Sequence, residues 1–176
     1  MQKLSMDELG RKSVADFKLA NKKPIVVVMD NIRSMHNVGS VFRTADGFLI
    51  SGICLCGFTP QPPHRDIHKT ALGATETVHW VHYQNTLDAV NELKEKGYKV
   101  FAIEQTTGSI SLENFKIQNP ALNNIPLAFI FGNEVDGVDQ QVIENCNGVI
   151  EIPQWGMKHS LNISVAAAIV LWEFVR

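Results

Sequence analysis

The stretch PIVVVMDNIRSMHNVGSVFRTAD, residues 24–46, decides the fold class. Its first seven residues are an apolar, largely β-branched run without polar alternation, which reads as a strand buried on both faces of a parallel sheet. The run ends at Asp30 in a polar loop, beyond which Val38, Val41, Phe42 and Ala45 recur at helical spacing. A buried strand, a polar loop and a helix form the opening unit of an alternating α/β chain.

The unit repeats along the sequence. GICLCGF (52–58), YKVFAIE (98–104), PLAFIFG (126–132) and GVIEIP (148–153) read as further strands. NTLDAVNELKEKG (85–97) predicts a helix, with Asn85 as its cap, Leu87, Val90 and Leu93 on one face, and Gly97 past its end. A short helix from Asp139 and a closing helix after Leu161 follow the later strands. The segment TPQPPHRDIHKTALGATE (59–76) reads as a long Pro- and His-containing loop with one helical turn near 66–72, and a Thr/Gly/Ser-rich loop follows residue 104. The expected class is therefore α/β, with a mainly parallel sheet flanked by helices. Residues 1–22 form a basic helical extension in this reading, with Ser5 capping a helix over 5–20 through Met6, Leu9, Val14, Phe17 and Leu19. Residues 23–176 form a single domain.

Composition sets limits on function. Of 176 residues, 45% are hydrophobic and 19% charged, which excludes a disordered chain. The longest apolar runs, such as VAAAIVL, fall far short of the roughly 20 residues of a membrane span. No apolar signal segment is visible at the N-terminus. Three cysteines (Cys54, Cys56 and Cys146) make no disulfide framework; they read as small buried hydrophobes of a cytoplasmic protein. The net charge of −2 argues against a surface that coats nucleic acid. Residues 1–23, however, hold six Lys/Arg against three acids. That segment is either a solvated helix face or an arm that contacts phosphates.

Polar, glycine-containing loops follow four of the strands: NIRSMHNVG, QTTGS, GNEVDG and QWGMKHSLN. In open parallel sheets, ligands bind beyond the carboxyl ends of the strands, so the four loops together suggest one site. Singly, each has a plain structural reading: Gly39, Gly132, Gly137 and Gly156 as turn formers, and Asn37, Ser160 or Asn162 as helix caps. Arg43, between Phe42 and Thr44 in a helix, needs an anion or carboxylate, and Glu134 is the candidate partner. Neither G-x-x-x-x-G-K-[ST] nor G-x-G-x-x-G occurs, which disfavours a triphosphate or a dinucleotide held in the usual way. Loops offering backbone groups suit a neutral or zwitterionic adenosine ligand. His64 and His68, four apart, lack a third metal ligand beyond Asp66, so no metal is expected. His36 and His159 flank the expected site without an identifiable partner.

Three segments together resemble the SpoU (TrmH-like) family of RNA ribose 2′-O-methyltransferases in the SPOUT superfamily. NVGSVFRTAD matches N-x-G-x-x-x-R at Asn37, Gly39 and Arg43. FIFGNEVDGV matches G-x-E-x-x-G at Gly132, Glu134 and Gly137. IPQWGMKHSLNISVA matches I-P-x-x-G-x-x-x-S-L-N-x-S at Ile152, Pro153, Gly156, Ser160, Leu161, Asn162 and Ser164. The match spans 24–174. The resemblance implies a C-terminal trefoil knot, S-adenosyl-L-methionine as cofactor, and a homodimer whose sites borrow groups from the partner subunit. Cofactor contacts are implied for Glu104 or Gln105, Gly132, Ile152 and Leu161. Catalytic or site-forming roles are implied for Arg43, Asn37, Glu134, Ser160 and Asn162; Ser164 stands between catalysis and helix packing. Gln154 departs from the methionine of many relatives. The implied substrate is RNA, tRNA ahead of rRNA, since small members mostly act on tRNA. The other classes are a non-catalytic S-adenosylmethionine- and RNA-binding protein and a base-directed methyltransferase. Ribose methylation requires a 2′-hydroxyl, hence RNA. Arg43 is often cast as the base of this family. A guanidinium stays protonated, so stabilising a phosphate and a developing alkoxide is the physically sounder role.

Overall fold

A computed structural model describes residues 2–5, 8–119, 121–122 and 125–176. Seven strands form one sheet in the order β3-β2-β1-β6-β4-β7-β5. They are β1 (Lys23–Asp30), β2 (Ile50–Cys56), β3 (Trp80–Tyr83), β4 (Lys99–Ile103), β5 (Ile110–Ser111), β6 (Leu127–Phe131) and β7 (Gly148–Glu151). Every pairing between them is parallel. The helices are α1 (Val14–Leu19), α2 (Met35–Gly47), α3 (Arg65–Ala71), α4 (Ala74–Thr77), α5 (Thr86–Glu95), α6 (Leu112–Gln118), α7 (Gln140–Glu144) and α8 (Ile163–Val175).

The unbroken apolar run of β1 is explained by cover on both faces. Ile25, Val27 and Met29 enter a core shared with α2, α3, α6 and α8. Val26 and Val28 enter a second core with Cys54, Cys56 and the α5 residues Ala89, Val90 and Leu93. Burial pushes the Cys54 thiol up to about 12, which fits a packing role.

The N-terminal helix is shorter than the sequence suggests. Ser5 and Glu8 bond reciprocally, as at a helix start, yet the helix begins at Val14 under a capping box of Ser13 and Asp16. Gly10, at φ 57°, interrupts the earlier turn, and Met6 lies outside the described residues. Phe17, 3% exposed, anchors this segment to the body. Edge strand β3 and the pair β5–α6 lie in segments to which the sequence reading assigns no element.

Gly39 is not a turn former. It sits inside α2 against α3, where a Cβ would collide with the Thr70 hydroxyl and the Ile67 carbonyl. The glycine sets the approach of the two helices. Neither does Asn37 cap α2; Ser34 does, its hydroxyl accepting the Asn37 N–H at 3.2 Å.

Asp30, 2% exposed, ends β1 at the side of the sheet where the loops gather. Its carboxylate accepts from the Asn31 side chain at 2.9 Å, the Asp139 N–H at 3.2 Å and the Thr86 hydroxyl. The last two donors lie at the N-termini of α7 and α5, where a carboxylate is favoured.

Candidate active site

Strands β1, β6, β4 and β7 are neighbours, so the loops after them converge at the carboxyl edge of the sheet. Between the loops after β4, β6 and β7 lies a cavity of about 660 Å³, within the range of small-molecule sites. Glu104, Gln105, Gly132, Glu134, Ile152, Ser160, Leu161 and Asn162 all line it. Asn37 and Arg43 do not.

The loop after β6 is folded tightly. Asn133 and Gly137 exchange backbone hydrogen bonds of 2.9 and 3.0 Å, and the Asn133 Oδ1 accepts the Val135 and Asp136 N–H groups. A Cβ on Gly132 would strike the backbone of Gly137 and Val138. The Asn133 Nδ2 donates to the Asn31 carbonyl at 2.7 Å, tying this loop to the one after β1. Glu104 pins it from the other side, its Oε2 accepting the Val138 N–H at 3.1 Å. The Gln105 side chain reaches across to the His159 carbonyl at 2.9 Å, linking the loops after β4 and β7.

A polar relay runs along one side of the cavity. Glu134 accepts the Arg33 and Ser34 N–H groups at 3.1 and 3.3 Å and the Asn37 Nδ2 at 3.1 Å. Asn37 Oδ1 in turn accepts the Asn162 Nδ2 at 3.0 Å. Asn162 caps α8, its Oδ1 accepting from the Ser164 N–H at 2.9 Å and hydroxyl at 2.6 Å. Of the capping alternatives, Asn162 is the cap and also joins the relay, Ser160 is not the cap, and Ser164 bonds the cap in the first turn of α8. Burial alone would raise the Glu134 carboxyl. The N–H groups of Arg33, Glu134 itself and Ser34, with the Asn37 amide, outweigh it and hold the group below its ordinary value.

The Arg43–Glu134 pairing expected from the sequence is not formed. The acceptor positions of Glu134 face the loop after β1. Arg43 lies six residues beyond Asn37, about 120° around the helix, exposed, and in none of the ion pairs recorded among the described residues. Among the described residues, no cluster could hold a metal; the His64 ring instead accepts the Asp66 N–H as the cap of α3. Asp30 and Asn133 were missed in the sequence. Each is a polar residue closing a buried run, which is their only signal.

The residues lining the cavity include the acidic Glu104, Glu134 and Asp136 and, among the described residues, no lysine or arginine. Such a wall repels phosphate and favours a ligand with positive charge.

A family model described as SpoU rRNA Methylase family matches residues 24–172. The chain is 29% identical over 169 residues to a protein of Vibrio parahaemolyticus named 23S rRNA (guanosine-2'-O-)-methyltransferase RlmB, covering 96% of this chain and 66% of that one. A solved structure described as an AdoMet-bound rRNA methyltransferase from Sinorhizobium meliloti aligns with a TM-score of 0.75 at 26% identity, over 88% of this chain and 56% of that one. A second, described as the A. aeolicus TrmH/SpoU tRNA modifying enzyme, shares the fold with a TM-score of 0.79 at 23% identity, over 92% of this chain and 80% of that one. The chain spans 58% to 66% of the length of the curated relatives it matches.

Proposed function

The chain belongs to the SpoU rRNA methylase family, and on that premise we propose that it is an S-adenosylmethionine-dependent methyltransferase acting on a ribose 2′-hydroxyl of RNA. The carrying observation is the acidic cavity bordered by the Glu134–Asn37–Asn162 relay.

The residues fit the cofactor. A pocket that repels phosphate and is walled by Glu104, Glu134 and Asp136 suits a sulfonium and an ammonium. Glu104, Gln105, Gly132, Ile152 and Leu161 are the residues assigned to hold it. When bound, S-adenosylmethionine supplies an activated methyl group, so the chain's own residues need only hold the 2′-oxygen and help remove its proton. Asn37, Glu134, Ser160 and Asn162 orient the ribose and the loops around it. Arg43 stabilises the phosphate and the developing alkoxide, while the hydroxyl proton leaves through phosphate or water.

Because Arg43 stands outside the relay of its own chain, we assign it to the site of a partner subunit in a homodimer. The exposed apolar residues Val165, Ile169 and Trp172 of α8 support that assembly. The strand order, with β6 inserted between β1 and β4, is compatible with a C-terminal trefoil knot around the loops after β6 and β7. Residues 23–176 act as the catalytic domain and the basic segment 1–22 as a contact for RNA phosphates. No described helix is long and apolar enough to cross a membrane.

Calorimetric titration with S-adenosylmethionine, ATP and NAD, followed by tritiated methyl transfer to total tRNA, rRNA and DNA, tests this reading. Binding of S-adenosylmethionine alone, with label entering tRNA or rRNA but not DNA, is expected. Preferential binding of ATP, or binding without transfer to any RNA, contradicts it.

A further inference from the structure

The acidic wall of the cavity requires a polyanionic substrate to be received from elsewhere. The loops after β1 and β2 border the relay on its other side and carry Arg33 and Phe58. Phe58 follows a strand that is almost entirely buried, yet it is 57% exposed. A lone exposed phenylalanine is unexceptional; the backbone that carries this one is held in place. Its N–H donates to the Asn31 Oδ1 at 3.2 Å. The next residue, Thr59, is buried, and its hydroxyl accepts the Ile32 N–H at 3.0 Å. The two loops are therefore stapled to each other beneath the exposed ring.

Arg33, also exposed, holds its guanidinium carbon 6.0 Å from the Phe58 ring centroid, at the limit of a cation–π contact. The same residue's N–H donates to Glu134, so the pair is joined directly to the relay. An exposed aromatic face on a held backbone, with a cation beside it, is what a single-stranded nucleotide needs: a stacking surface and a charge for its phosphate.

We propose that Phe58 and Arg33 form a nucleobase platform, on which a base of the RNA substrate stacks while Arg33 engages the adjoining phosphate. This assignment rests on the RNA reading above and adds the surface by which RNA is held. Stacking on an aromatic tolerates any base, so the platform contributes affinity rather than sequence choice.

The test uses the full chain and anisotropy with fluorescein-labelled total tRNA and rRNA fragments. Phe58→Ala should weaken RNA binding about ten-fold, and Phe58→Trp should restore it, with tryptophan fluorescence quenched on binding. Arg33→Ala should weaken binding and flatten its salt dependence. S-adenosylmethionine affinity and melting temperature should not move in any of the three. Phe58→Ala binding RNA within two-fold of wild type, or Phe58→Trp failing to rescue, overturns the platform. If wild type binds RNA but transfers no methyl group, the functional reading fails and the platform stands. If wild type transfers methyl and Phe58→Ala binds RNA normally, the platform fails and the reading stands. A wild type that binds no RNA overturns both.

Discussion

Gly39 shows how a single position can oppose its own propensity. In an exposed helix, Gly→Ala gains about 1 kcal/mol. Here the added methyl would meet Thr70 and the Ile67 carbonyl of α3. Gly39→Ala should instead destabilise by about 1–3 kcal/mol, read as a fall in melting temperature. Glu134 offers a second test at this scale. Its folded-state pKa lies below the ordinary 4.5, so its contribution to stability is complete above that value and is lost as pH falls through the lower one. Urea unfolding across the acid range should therefore give a steeper loss for wild type than for Glu134→Gln; parallel curves would contradict the assignment. The same variant should lose at least about ten-fold in turnover, since the loop after β1 loses its anchor. Arg43 marks where the sequence misleads. Position after a strand identifies the loop but not the direction in which a helical side chain points, and six residues turn Arg43 away from Glu134.

At the scale of elements, α8 joins stability to the site through one side chain. Asn162 caps the helix with its Oδ1 and reaches Asn37 with its Nδ2. Asn162→Ala should cost about 1 kcal/mol of stability and most of the activity. Asn162→Ser should keep the cap, and so the melting temperature, while activity still falls. A fully active Asn162→Ser would show that the bridge to Asn37 is not used. Elements with continuous apolar runs, β1 and β6 above all, were legible because burial on both faces leaves no room for polar residues. Edge strand β3 was not: WVHY is four residues long, with Val81 38% exposed, and an edge demands no such run. α6 hid for a related reason, being seven residues long with Leu112 and Phe115 as its clear core contacts.

For the whole molecule, the convergence of loops was legible from their shared place after buried strands, whereas their cross-links were not. Asn133 to Asn31, Gln105 to His159 and Glu134 to the loop after β1 each join residues 50 or more positions apart, and no periodicity announces such pairs. The assembly makes its own prediction. If α8 forms the contact between two copies, the protein should sediment at twice 19.6 kDa, and Ile169→Glu should leave a folded monomer with little activity. A wild type that is monomeric at all concentrations would remove the partner-site role of Arg43. The central claim concerns which oxygen is methylated. A 2′-O-methyl group removes the hydroxyl that attacks the neighbouring phosphate in alkali, so the label from tritiated S-adenosylmethionine should survive alkaline hydrolysis of the RNA in dinucleotides. Label in mononucleotides, as a methylated base would give, or no label in RNA at all, would contradict the account.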